Sequence, residues 1–130
     1  MKATLRKLIG TAVLGLALFS PGAPAWAGEV DLYGEVIVGT SGAAGALPRA
    51  RYSADGTQYI GCSFSHSLGL TVDCSARDKT GKSLGCWSND TRFVDAAKAI
   101  TDSSFINFTV TPGTASCSEL TVTNSSAFLR

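Results

Sequence analysis

Residues 58–88 read QYIGCSFSHSLGLTVDCSARDKTGKSLGCWS, and this stretch decides the fold. Cys62, Cys74 and Cys86 follow one another at intervals of 12 residues. The midpoint of the first interval is Leu68, inside Ser67-Leu68-Gly69. The midpoint of the second is Thr80, beside Asp78, Lys79 and Gly81. Both midpoints carry turn chemistry. Folding the chain at both gives a three-stranded antiparallel meander with the three cysteines in one transverse row.

That register fixes which residues face each other. On the cysteine face it predicts the rows Phe64–Val72–Ser88 and Ile60–Ala76–Leu84, an apolar surface that should meet the core. On the opposite face it predicts Tyr59–Arg77–Ser83, Gly61–Ser75–Gly85 and Ser63–Asp73–Trp87. A slip of one residue would exchange the faces, so the period-two pattern and the turn positions test each other.

Outward from the meander, Asp90 reads as the N-cap of a helix from Thr91 to about Thr101, with Phe93, Ala97 and Ile100 on one apolar stripe. Residues 104–110 put Ile106, Phe108 and Val110 on one face of a strand. Pro112-Gly113 turns the chain, and residues 119–124 turn Leu120 and Val122 inward. Upstream, Glu29–Val38 alternates with Val30, Leu32, Val36 and Val38 on one face. Between the two, Gly39–Pro48 reads as a flexible small-residue loop; no Gly-Lys-Ser/Thr follows it, so it is not a phosphate cradle. The expected domain is α+β: a small antiparallel sheet, made of the meander and a C-terminal hairpin, covered by one helix.

The first 27 residues have the three parts of a secretory signal. Lys2, Arg6 and Lys7 are basic, residues 8–19 are apolar, and Ala25-Trp26-Ala27 is a small-x-small cleavage site. The apolar run is too short to cross a bilayer. Cleavage would leave 103 of the 130 residues as one domain. It would also remove three of the eleven basic residues and none of the ten acids, leaving a net charge of −2. This balance argues against nucleic-acid binding, and no membrane insertion is expected after processing. The expected location is the periplasm or the cell exterior.

All four cysteines lie in the exported part, and an even number there implies two disulfides. Cys62 and Cys86 would stand two strands apart, about 9.6 Å, beyond bonding reach. Two pairings survive. Cys74–Cys86 with Cys62–Cys117 is preferred, because the second bond would tie the meander to the last strand; the alternative is Cys62–Cys74 with Cys86–Cys117. Cys117 has the opposite parity to Leu120 and Val122, which places it before the strand or at a bulge.

The words Tyr59-Ile60-Gly61-Cys62, Cys74-Ser75-Ala76-Arg77-Asp78 with Gly81, Cys86, the helix start at Asp90, residues 102–108 and the tail from Cys117 to Ser126 carry a likeness. Over roughly residues 45–130 the chain resembles a group of small exported bacterial four-cysteine proteins of unknown function. The resemblance implies bacterial export and transfers no catalytic residue.

Chemistry is sparse. His66 is the one histidine, and no nucleophile elbow or oxyanion donor accompanies it, so a hydrolase built on His66 ranks third among the functions. The cysteines are paired and the carboxylates scattered, so neither a metal nor a cofactor is expected. The leading expectation is a non-enzymatic binding or interaction module for a protein or carbohydrate partner, with Tyr59, Asp73, Arg77 and Trp87 as its surface. The alternatives are a secreted inhibitor of an extracellular hydrolase, acting through Gly39–Arg51 or Lys79–Gly81, and a structural envelope protein. The triplets beginning at Asn89, Asn107 and Asn124 match the glycosylation pattern and are read as incidental.

Overall fold

The computed structural model describes residues 34–66 and 69–128. The expected signal segment and the first residues of the Glu29–Val38 strand lie outside the described residues, as does the Ser67-Leu68 turn centre. From residue 34 the described elements run β1 (Ile37–Val38), β2 (Gly42–Ala46), α1 (Leu47–Arg51), β3 (Tyr59–Ser65), β4 (Thr71–Arg77), β5 (Ser83–Ser88), α2 (Thr91–Lys98), β6 (Ser104–Val110), β7 (Cys117–Asn124) and a final 3-10 turn, Ser126–Phe128. The fold is small α+β, with antiparallel pairing in both of its sheets and two disulfides.

The meander forms in the expected register. Cys62 faces Cys74, which faces Cys86; Gly61, Ser75 and Gly85 share a row, as do Ser63, Asp73 and Trp87. The cysteine face is the buried one, with Ile60, Val72, Cys74, Ala76 and Cys86 in the core. Phe64 departs from this pattern: at the end of β3 it overhangs the core and stays 43% exposed.

The hairpin β6–β7 does not extend the meander, contrary to the single sheet expected. It joins β1 and β2 in a second sheet of order β1-β2-β6-β7. The buried faces of the two sheets share one core, Ile106, Phe108 and Val110 meeting the meander residues, with Val94 and Ala97 added by α2. Asp90 caps α2 as expected, its carboxylate accepting from Arg92 N. The helix stops at Lys98 and buries Val94 and Ala97, while Phe93 and Ile100 are only partly covered. Phe105 of β6 stacks on Phe128 of the terminal turn, 5.5 Å between ring centroids.

The Gly39–Pro48 segment is a second correction. Five of its residues form β2, paired to β1 on one side and to β6 on the other. Its small side chains reflect crowding rather than freedom. A Cβ built on Gly45 would stand 2.9 Å from the Cα of Val36, so only glycine lets β2 lie this close to the segment leading into β1. Ala43 and Ala46 are buried beside it. Tertiary packing here overrides the poor intrinsic strand preference of Gly and Ala. Pro48 then sits in the first turn of α1, where its missing N–H costs nothing.

The preferred disulfide pairing is the third correction. The bonds are Cys62–Cys74 and Cys86–Cys117. Cys74 is directly opposite both neighbours, but it faces Cys62 at a Cα separation of 4.0 Å. The expectation of a bulge at Cys117 holds: Thr109 pairs with Glu119 and Val110 with Cys117, leaving Ser118 as the extra residue. The bulge turns Cys117 into the core while Leu120 and Val122, further along β7, remain partly buried.

Candidate functional site

The four residues singled out in the sequence lie on one surface, the solvent face of the meander. β-Strand alternation puts them there: with Cys62, Cys74 and Cys86 turned inward, Tyr59, Asp73, Arg77 and Trp87 must point out. All four are exposed, Tyr59 by 41% and Trp87 by 46%. Trp87 therefore does not pack beneath β1 or β2.

The face brings the four together as two cross-strand pairs. Tyr59 is opposite Arg77, whose guanidinium carbon lies 5.5 Å from the centre of the Tyr59 ring. Arg77 Nε donates to Ser83 Oγ at 3.0 Å, so the guanidinium is held from both sides. Asp73 is opposite Trp87. Between the pairs runs the row Gly61–Ser75–Gly85, whose side chains are a hydrogen, a hydroxymethyl and a hydrogen. The result is a trough that crosses all three strands, walled by Tyr59 and Arg77 on one side and by Asp73 and Trp87 on the other.

The Trp87 end is braced in a way the sequence did not reveal. Trp87 N donates to Ala115 O at 2.9 Å, and Trp87 and Ser116 form a parallel bridge. The adjacent Cys86–Cys117 bond covers the same junction between the two sheets. The indole thus projects from backbone fixed by a disulfide and a bridge.

A second concavity, of about 370 Å3, is lined by Glu35, Arg49, Tyr52, Ser53, Asp55 and Gln58, of which only Arg49, within the segment considered for an inhibitor, carried an expectation from the sequence. Its carboxylates are already engaged. Asp55 accepts from Gln58 Nε2 at 2.6 Å and from the amides of Thr57 and Gln58, and the Gln58 bond first among these holds its carboxyl at about 2 against an ordinary 3.8. Gln58 Oε1 in turn accepts from Val36 N at 2.8 Å. Glu35 pairs with Lys79 at 3.1 Å. The Asp55-Gly56 turn could have been noticed as an Asx-turn signal; its partner on Val36, 22 residues away, could not.

His66 lies exposed just past the end of β3. Among the described residues no group of three or more His, Cys, Asp or Glu side chains is placed to hold a metal ion. Among the described residues no helix is long and apolar enough to cross a membrane. Asn89 and Asn107 are exposed, but the Asn124 carboxamide is committed, its Nδ2 donating to Ala99 O at 2.9 Å. Gly39–Arg51, one of the two segments considered for an inhibitor, is folded into β2 and α1 apart from the short exposed turn of residues 39–41. The other, Lys79–Gly81, is a tight three-residue turn.

Comparison with known protein families, curated proteins and solved structures gives no match for this chain. Of the resemblance read from the sequence, the structure carries the coarse part: four cysteines forming two disulfides in a small domain. Such bonds persist in oxidising compartments.

Proposed function

We propose that this chain is an exported, non-enzymatic binding module, bacterial and at work in the periplasm or outside the cell, and that the solvent face of the meander is its binding surface. The observation supporting this reading is Trp87. It leaves nearly half its area in water beside Asp73, a carboxylate with no hydrogen-bond or ionic partner among the described residues. Large aromatic groups of this kind, set among hydrogen-bonding neighbours on rigid backbone, supply most of the energy at binding surfaces. The two disulfides favour such a role by lowering the ordering cost on association.

The experiment uses the processed chain. Of its two tryptophans, Trp26 belongs to the expected signal, so cleavage after Ala27 leaves Trp87 as the sole indole. Its fluorescence then reports on this surface alone. Partners captured from the natural surroundings of the protein should shift that emission, and Trp87→Ala and Arg77→Ala should each weaken capture at least about tenfold, the loss of one well-placed anchor. Undiminished capture by both variants, at unchanged melting temperature, overturns the surface assignment.

A further inference from the structure

The solvent face has a symmetry that bears on what it binds. Its two walls, Tyr59–Arg77–Ser83 and Trp87–Asp73–Ser63, are the same pattern read in opposite directions: an aromatic ring at one end, a charge in the middle on β4, a serine at the other end. The local pseudo-twofold passes through Ser75. Tyr59 and Trp87 stand at opposite corners, two strands and four residues apart, which is about 17 Å between their backbones.

The floor between them is open. A Cβ added at Gly61 would meet nothing within 4 Å, and at Gly85 nothing closer than 3.4 Å. The hydrogen-bonding groups are unspent. Among the described residues Asp73, Ser63, Ser75 and the indole N–H of Trp87 have no protein partner, and Arg77 uses only its Nε. The charges sum to zero, one carboxylate against one guanidinium, each flanking Ser75.

These features select among ligands. A polyanion needs several cations in a row, and this face has one, balanced by Asp73. A peptide strand needs a free sheet edge for its main chain, and on the face of a sheet those groups are already paired within the ladder. A peptide anchored by side chains needs apolar pockets, and the trough is floored by glycine and serine. A hydroxyl-rich ligand with apolar ring faces has the matching chemistry. Its hydroxyls both donate to Asp73 and accept from Arg77, and its C–H faces pack on indole and phenol rings.

We propose that the trough binds a linear, uncharged oligosaccharide, laid over Gly61, Ser75 and Gly85 from Trp87 to Tyr59 and spanning about three to four sugar rings at the backbone separation given above. The proposal rests on the meander face being the binding surface and adds the ligand class. Asp73 and Arg77 grip the central ring from either side, and the aromatic side chains cover the end rings.

The test is calorimetric and fluorimetric titration of the processed protein with neutral linear oligosaccharides of two to six units, xylo-, cello-, manno- and chito-oligomers. In at least one series, affinity should rise with length and level off near four units. Trp87→Ala and Tyr59→Ala should each weaken binding about tenfold or more, the effect of losing one stacked ring. Gly61→Val keeps every stacking and hydrogen-bonding side chain and fills the floor; it should abolish binding at unchanged melting temperature. Oligomers that bind with no dependence on Trp87, Tyr59 or Gly61 overturn the trough. Protein partners displaced by Trp87→Ala while every neutral oligomer fails overturn the sugar and leave the surface standing. If neither proteins nor sugars respond to any of these substitutions, both readings fall.

Discussion

Cys62 and Cys74 stand directly opposite each other on β3 and β4 with their Cα atoms 4.0 Å apart, the close kind of antiparallel pair. A residue in a middle strand turns its N–H and C=O to the same side, so a close pair toward one neighbour is a wide, hydrogen-bonded pair toward the other. Cys74 is therefore committed to Cys62, and Cys86 must look outside the meander for its partner. Two further features fix the same phase. Asp78 N donates to Lys82 O across the β4–β5 turn, which makes 78–82, and hence 76–84 and 74–86, the bonded positions. Trp87, at an unbonded position, sends its N–H outward to Ala115.

The two disulfides should differ in worth and in lability. Cys86–Cys117 closes 31 residues and Cys62–Cys74 closes 12. Loop-closure entropy then assigns about 4 and about 3 kcal/mol to them. Replacing the first pair by alanine should lower the urea midpoint further than replacing the second. Under mild thiol, the order follows access: Cys86 and Cys117 are both buried, whereas Cys62 is partly exposed. Alkylation and peptide mapping should find Cys62–Cys74 open first. Equal losses, or the reverse order of opening, would contradict this account.

The meander was readable because three signals coincided: period-two alternation, equal cysteine spacing and turn residues at both midpoints. The pairing was not taken from the same stretch, because turn midpoints give register and leave phase open. The phase was nonetheless written in Asp78-Lys79-Thr80-Gly81-Lys82. A three-residue turn with glycine in its third place, here Gly81 at φ 89°, specifies which flanking positions are bonded. β2 was illegible for a different reason. Gly42-Ala43-Ala44-Gly45-Ala46 has no pattern of its own, and its strand exists because β1 and β6 flank it. The aromatic face was legible as a list of residues, while the Ala115–Ser116 brace on Trp87 depends on contacts about 28 residues away in sequence.

Gly45 and Gly61 should respond oppositely to alanine. The new methyl at Gly45 meets Val36 Cα and Cγ2 at 2.9 Å, and part of that contact is backbone, so the two segments must part. A cost of about 1–3 kcal/mol is expected, the usual penalty for overpacking. At Gly61 the methyl enters open space, and removing glycine from a strand stiffens the unfolded chain. Gly61→Ala should be neutral or slightly stabilising in chemical denaturation. A neutral Gly45→Ala would mean that β2 and the segment leading into β1 are not in close approach.

Among the described residues Ser104 is the one polar side chain buried in the core, and it works as a clasp. Its hydroxyl donates to Asn124 Oδ1 and accepts from Thr101 N at 2.7 Å, while Asn124 Nδ2 donates to Ala99 O. The end of α2 is thus tied to the paired ends of β6 and β7. Ser104→Ala strands Thr101 N and removes one of the two hydroxyls that donate to Asn124 Oδ1, the other being Thr101 Oγ1 at 3.2 Å, at a cost of about 1–3 kcal/mol. Asn124→Asp should also destabilise, since a carboxylate oxygen would face the Ala99 carbonyl. Amide exchange at Thr101 should accelerate in both variants; unchanged exchange with unchanged stability would remove the clasp.

The acid limb of stability should be set chiefly by Asp55 and Asp90, with a further share from Asp78, whose carboxyl the Thr80 hydroxyl and the Thr80 and Lys82 amides also hold below the ordinary range. Hydrogen bonds from Gln58, Thr57 and Ser53 hold Asp55 at about 2, and the Arg92 side chain and amide hold Asp90 at about 2, against an ordinary 3.8 for each. A carboxyl that is more acidic folded than unfolded stabilises the fold above its unfolded value, and that contribution disappears as pH falls through the folded one. The loss from these two carboxyls should therefore lie between 3.8 and about 2. Asp55→Asn removes one of these titrations and should flatten the urea midpoint across this window. It should also loosen the turn that presents Gln58 to Val36. Salt distinguishes the two carboxyls, because the Asp90–Arg92 ion pair is exposed and screened whereas the Asp55 hydrogen bonds are not ionic on both sides. Raising ionic strength should shrink the Asp90 share and spare that of Asp55; a pH profile that Asp55→Asn leaves unaltered would show that its turn opens before the domain unfolds.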